Sequence, residues 1–225
     1  MSKRKLAQFA ENKTFDHVIE PDSRTMLEDR FELKEKWNSD FFKNDQPIVL
    51  ELGCGKGEYS VELGRQFPDK NFIGVDIKGA RIWRGAKTVE EEGIPNVAFL
   101  RTRIDFIASG FAPGEVDEIW LTFSDPVVKG SPNRRLTSRV FIDRYRQVVK
   151  PGAIVHLKTD SDFLYDFTLQ EIEQHGYELL EKSGDIYGEM HRFDPDFREI
   201  LQIKTFYEKK FLAEGDNINY CRFRI

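Results

Sequence analysis

The rhythm of apolar and polar positions changes near residue 46. Before it the chain is polar and weakly periodic, and reads as an N-terminal arm, residues 1–46, partly flexible, with one short helix near Leu27 to Trp37. After it come five short apolar runs, each followed by a helix-like or loop segment: Ile48 to Leu52, Asn71 to Ile77, Val97 to Leu100, Val116 to Phe123 and Gly152 to Thr159. Punctuation of this kind predicts strands buried in a mostly parallel sheet, joined by crossovers. Glu58 to Gln66, Gly79 to Glu92 and Ser138 to Val149 read as helices, the last stopped at Pro151-Gly152. The tail adds a helix at Phe163 to His175, a strand at Tyr177 to Lys182, a helix at Ile203 to Ala213 and a strand at Ile218 to Arg224. Two closing strands suit an antiparallel edge. Residues 47–225 thus read as one α/β domain with a seven-stranded sheet and helices on both faces.

Composition narrows the class. The apolar set is 40 %, about 47 % with the 16 glycines, which excludes disorder as the main state. No apolar run approaches the roughly 18 residues of a membrane helix, and the opening MSKRKLAQFAENK lacks a signal-peptide core, so a soluble, cytoplasmic protein is expected. Cys54 and Cys221 belong to no ligand cluster, so neither a disulfide scaffold nor a metal is expected.

The first strand runs into Glu51-Leu52-Gly53-Cys54-Gly55-Lys56-Gly57-Glu58. Such a loop lets backbone approach a ligand at the carboxyl end of a strand, and it also serves as an ordinary tight strand-to-helix turn. A dinucleotide fingerprint would need Gly at 58, where Glu58 stands, and no Walker lysine-serine pair follows. Asp76 closes the second strand, placed to accept both ribose hydroxyls of an adenosine. Alternation leaves Glu51 opposite Ile48, Leu50 and Leu52, a carboxylate whose burial an ammonium-bearing ligand would relieve. With these residues the sequence resembles the class I S-adenosylmethionine-dependent methyltransferases, a Rossmann-like fold. Asp105, after the third strand, could meet the adenine amine and is equally consistent with a solvated helix-start Asp.

The fourth strand ends in Ser124-Asp125-Pro126, a good place for chemistry and also a common strand-ending turn. From Lys129 to Lys150 there are seven cations and one acid, a local balance of plus 6 in a chain of net charge −5. A polyanion is expected there, gripped first by Arg134 and Arg135, while Arg139, Arg144 and Arg146 also fit a solvated helix face. Lys3, Arg4 and Lys5 read equally as phosphate trackers or a solvated tail.

Here the resemblance sharpens to the bacterial tRNA (guanine-N7-)-methyltransferases. It rests on the ordered set Leu50 to Gly57, Gly74 to Lys78, Asn96 to Leu100, Asp125-Pro126 with Lys129, Arg134 to Thr137, Lys158-Thr159-Asp160 and Thr205-x-Tyr207-Glu208. The resemblance implies S-adenosylmethionine as donor, held by Glu51, Gly53, Gly55, Gly57, Asp76, Asp105 and Asp125, with Asp125 also catalytic. It implies tRNA as substrate, methylated on the variable-loop guanosine at position 46 and held by Lys129, Arg134, Arg135, Asp160, Thr205, Tyr207 and Glu208. Thr205 and Glu208, three apart on the expected helix, would share one face. A monomer or homodimer with no obligatory protein partner is expected. The family's usual Trp-Pro after Asp-Pro is Val127-Val128 here, and its basic run is shortened to Gly130-Ser131-Pro132-Asn133.

Competing readings are a class I methyltransferase for another RNA, a protein or a small molecule, an NAD-dependent oxidoreductase, and a non-catalytic binder of tRNA and donor. A protein or small-molecule acceptor leaves the Lys129 to Lys150 asymmetry unexplained, the oxidoreductase lacks its third glycine, and intact Asp125 weighs against the non-catalytic binder. Hydrolases fare worst: there is no G-x-S-x-G, and His17, His156, His175 and His191 have no metal spacing.

Overall fold

Residues 3–225 are described by a computed structural model, with the backbone alone for Arg4. Eight strands form one sheet: β1 (Val18–Ile19), β2 (Ile48–Leu52), β3 (Asn71–Asp76), β4 (Val97–Arg101), β5 (Val116–Thr122), β6 (Val149–Thr159), β7 (Glu178–Ser183) and β8 (Asn219–Arg224). Their order is β1-β4-β3-β2-β5-β6-β8-β7, parallel throughout except β8, which runs antiparallel between β6 and β7. The seven expected strands are all present; the eighth, β1, is a two-residue edge strand supplied by the arm. The helices are α1 (Lys3–Asn12), α2 (Ser23–Leu27), α3 (Glu58–Gln66), α4 (Gly79–Glu92), α5 (Ile107–Gly110), α6 (Arg139–Tyr145), α7 (Asp162–His175), α8 (Pro195–Leu201) and α9 (Phe206–Glu214).

Alternation on β2 divides the core as its sequence predicts. Ile48, Leu50 and Leu52 join a cluster with Phe141 and Leu164 on one sheet face, while Val49 packs with Tyr59, Ile82 and Leu201 on the other. Chain order reverses between β2 and β5, which both start from the middle of the sheet. A crevice opens outside the carboxyl ends of the strands at such a switch point.

Three boundaries differ from expectation, each for a local reason. No helix spans Leu27 to Trp37: Asp29 and Glu35 take left-handed φ angles of 52° and 69°, and the chain instead makes a π-helical turn at Trp37–Phe42. Trp37 is wholly buried there, stacked on Phe111 at 5.4 Å and donating from Nε1 to the Gly110 carbonyl at 3.0 Å. The helix expected to reach Val149 ends at Tyr145, and Pro151-Gly152 lies inside β6, on a stretch that β8 leaves unpaired, where a missing N–H does no harm. The last helix starts at Phe206, and an additional one, α8, opens at Asp194-Pro195, where the aspartate caps and proline takes the first turn. The arm's first helix, α1, lies against α4: Asn12 donates to the Gly79 carbonyl at 2.9 Å and Glu11 accepts from Trp83 Nε1 at 2.7 Å.

Candidate functional site

After β2 the chain turns through Gly53, Gly55 and Gly57 at φ of 79°, 56° and 67°. The last is the least replaceable, since a Cβ there would stand 2.3 Å from the Phe99 ring. Gly53 and Cys54 donate to the Val75 carbonyl, and Asp76 at the end of β3 accepts from the Gly55 N–H at 2.9 Å and the Lys78 N–H at 2.7 Å. The loop and the second strand end are thereby one unit.

Glu51 lies behind this loop, 3 % exposed. One carboxylate oxygen accepts from the Ser60 N–H at 2.9 Å and hydroxyl at 2.5 Å, and the other from the Thr122 hydroxyl at 2.6 Å. Burial pushes its pKa up to about 7, against the pull of those three donors. No cation answers it among the described residues.

Beside the loop a cavity of about 300 Å³ is lined by Gly53, Asp76, Thr102, Asp105, Arg134 and Leu136. Larger hollows elsewhere on the surface hold none of the glycines or acids of this crevice. The structure thus brings Gly53, Asp76 and Asp105 to one crevice, with Glu51 buried behind the loop and outside its lining. Asp105 also faces the Arg103 and Arg144 guanidinium groups, each at 3.3 Å.

On the other side of the switch point β5 ends in a strained turn. Phe123 and Val127 have φ of 50° and 44°, a left-handed conformation that costs about 1–2 kcal/mol for a residue with a Cβ. Asp125 is exposed between them, and its Oδ1 accepts from the Val127 N–H at 2.9 Å. Buried Ser124 Oγ beside it has no hydrogen-bond partner among the described residues. Thr122 is level with Lys158 on β6, so Asp160 stands at the adjoining strand end, half-buried. Burial raises its carboxyl pKa, helped by Asp216 and Asp162. Lys129 and Arg134 are exposed in the loop that follows Asp125.

Two expectations need correction. Arg135 does not reach outward with Arg134: it is 8 % exposed, its guanidinium packed against the rings of Phe163 and Phe167 at 4.5 and 4.3 Å. Thr205 and Glu208 do not share an exposed helix face either. Thr205 is the N-cap of α9, its hydroxyl accepting from the Glu208 N–H, while Glu208 is fully buried in an ion pair with Lys158 at 2.8 Å. Lys158 also donates to the carbonyls of Leu201 and Ile203 at 2.7 and 2.9 Å, and Tyr187 donates to Glu208 at 2.7 Å. Tyr207, on the same turn, is exposed beside exposed Phe206. The Lys158 pair was missed in the sequence, although a lone cation inside the apolar run Ile154 to Leu157 and Thr159 signals a buried carboxylate partner.

A parallel sheet with a glycine loop and acids at its switch point, closed by an antiparallel C-terminal strand, is the class I methyltransferase fold. Solved structures agree: the 16S rRNA methyltransferase KamB superposes with a TM-score of 0.64 at 16 % identity, covering 87 % of this chain and 95 % of that one. A family model described as "Putative methyltransferase" matches residues 45–221. A tRNA (guanine-N(7)-)-methyltransferase of Christiangramia forsetii is 53 % identical over 100 % of this chain and 99 % of its own length. One from Bacteroides thetaiotaomicron is 50 % identical over 100 % and 87 %. The chain belongs to the tRNA (guanine-N(7)-)-methyltransferase family.

Proposed function

We propose that this chain transfers the methyl group of S-adenosylmethionine to N7 of a guanosine in tRNA, the variable-loop guanosine at position 46. The observation that carries the reading is one switch point with two sides, a glycine crevice backed by buried Glu51 and an exposed Asp125 in a strained turn, in a chain of this family. The donor set suits the cofactor. Glu51 is a buried carboxylate in want of a cation, the glycine backbone admits a close ligand, and Asp76, which lines the crevice, would accept from the ribose hydroxyls. Asp105 lines the adenine side in competition with its two arginines. When bound, the donor supplies an electrophilic methyl on a sulfonium, with a neutral thioether as leaving group.

Guanine N7 carries an in-plane lone pair and no proton. The N7–carbon bond forms as the carbon–sulfur bond breaks, the electron pair leaves on sulfur, and positive charge develops on the purine. No side chain has to remove a proton from N7, so positioning and electrostatics dominate. Asp125 accepts from the guanine N1–H and N2–H, and Asp160 adds negative charge on the adjoining strand end. Reaching the base requires local unstacking, with phosphates held by Lys129 and Arg134. The substrate puts this activity in the cytoplasm, and the chemistry demands no protein partner. Labelled methyl transfer to unmodified tRNA tests the reading: incorporation is expected with guanosine and lost with 7-deazaguanosine at position 46. Equal incorporation into both would refute N7 as the acceptor.

Two further outcomes are expected. Arg134→Ala should weaken tRNA binding and lower the slope of log K against log salt by about 1, as loss of one phosphate contact does. An unchanged slope would remove Arg134 from the interface. Donor affinity should rise with pH up to about 7 and level off above it, because the cationic donor prefers ionised Glu51 and below that pH the carboxyl must first lose its proton. Binding at pH 6.5 should therefore release protons, visible in calorimetry as a dependence on buffer ionisation enthalpy, and Glu51→Gln should abolish that dependence.

A further inference from the structure

The Asp125 turn is held from outside by a residue that sequence position assigns to phosphate binding. Arg135 Nε donates to the Pro126 carbonyl and Nη2 to the Val127 carbonyl, both at 3.3 Å. These are the two residues after Asp125, and the Val127 N–H in turn donates to Asp125 Oδ1. Val127 is β-branched and sits at a φ of 44°, so it would leave this conformation if nothing held it. The guanidinium is itself fixed. Phe163 and Phe167, one turn apart on α7, both pack their rings against it at 4.5 and 4.3 Å, and the Thr137 and Thr168 hydroxyls bond at 2.8 Å to tie the following residues to the same helix. No carboxylate lies within ion-pair distance of Arg135 among the described residues, and it is buried where neighbouring Arg134 is exposed.

We propose that Arg135 is a positioning residue: packed against Phe163 and Phe167, it holds Pro126 and Val127 in the strained turn that aims the Asp125 carboxylate at the base to be methylated. The proposal rests on the reading of Asp125 given above. It distinguishes the two adjacent arginines by task, Arg134 toward RNA and Arg135 toward the catalytic loop. A planar group with forked donors suits the two carbonyls and the two rings, which an ammonium cannot serve together.

The test is a double-mutant cycle on Arg135→Met, which keeps bulk against the rings but removes the donors, and Val127→Gly, which removes the strain at positive φ. Single-turnover methylation, tRNA affinity as a function of salt, and donor affinity are measured for each protein. Arg135→Met should slow methylation about ten- to a hundredfold, with tRNA affinity, its salt slope and donor affinity within about twofold of wild type. In the Val127→Gly background the same change should cost at least severalfold less, because glycine holds the turn unaided. Arg135→Lys, which keeps charge and folding, should fall between wild type and Arg135→Met. A weakened tRNA affinity with a salt slope lowered by about 1 would make Arg135 a phosphate contact and overturn the proposal, as would rate effects that simply multiply across the cycle. Asp125→Asn measured alongside separates the two failures: wild-type turnover there overturns the reading of Asp125 and this proposal with it, whereas slow turnover there with a multiplicative cycle overturns the role of Arg135 alone.

Discussion

Asp125→Asn is expected to lower kcat for tRNA methylation by about 10²–10³-fold, the usual effect of removing one preorganised electrostatic partner of the transition state, while donor affinity changes far less. Asparagine can still accept the Val127 N–H, now at 2.9 Å from Asp125 Oδ1, so the turn keeps its shape. What it then turns toward the guanine is an amide N–H₂, a donor facing donors. The negative charge that would offset the growing charge on the purine is lost as well. Asp125→Ala removes the turn bond in addition and should be slower still. Single-turnover rates with saturating donor, together with donor dissociation constants by calorimetry, check both. An Asn variant with wild-type kcat would mean that the carboxylate is not what recognises or stabilises the reacting base.

Lys158→Met is expected to destabilise the protein by about 3–5 kcal/mol, because it strands a buried carboxylate. Both members of the pair are fully buried, and Lys158 also serves the carbonyls of Leu201 and Ile203, so one substitution leaves three acceptors wanting. Burial pushes the Lys158 pKa down to about 8, with Glu208 pulling it back up, so the ammonium is kept largely by its partner. For a chain of this size the melting temperature should fall by roughly 6–20 °C. Removing both charges in Lys158→Met with Glu208→Leu should recover much of the loss, though not all, since the two carbonyls stay unserved. Thermal melts of the three variants decide it. A single substitution no worse than the double one would mean that the pair is not the source of the stability.

The sheet was legible because its strands are short buried runs whose spacing is local information. Ile48–Leu52, Glu58–Gln66 and Gly79–Glu92 match the sequence reading end to end, and the glycine loop with Asp76 followed from their order. What escaped were features decided by distant residues. Trp37 turns inward for Gly110 and Phe111, and no helical periodicity near residue 30 records that. Arg134 and Arg135 are chemically identical neighbours, and their opposite directions are set by Phe163 and Phe167 on a later helix. The register of Thr205 and Glu208 depended on where the helix starts: with Thr205 as cap, Glu208 falls on the inner side, beneath Lys158. The Asp194-Pro195 start of α8 was readable, since a capping acid followed by proline is a local signal.

The place of β8 has a consequence for how the chain is made. It fills the slot between β6 and β7, yet it is synthesised after both. While a ribosome is still adding Asn219–Arg224, β6 presents an open edge from Ile154 to Thr159 and β7 has no neighbour to pair with. The parallel half can assemble around β2 as it emerges, but the sheet stays unsealed until that late strand threads between two earlier ones. Nascent chains at that stage expose unpaired strand edges that invite other chains, so this interval is where a chaperone would matter most to yield.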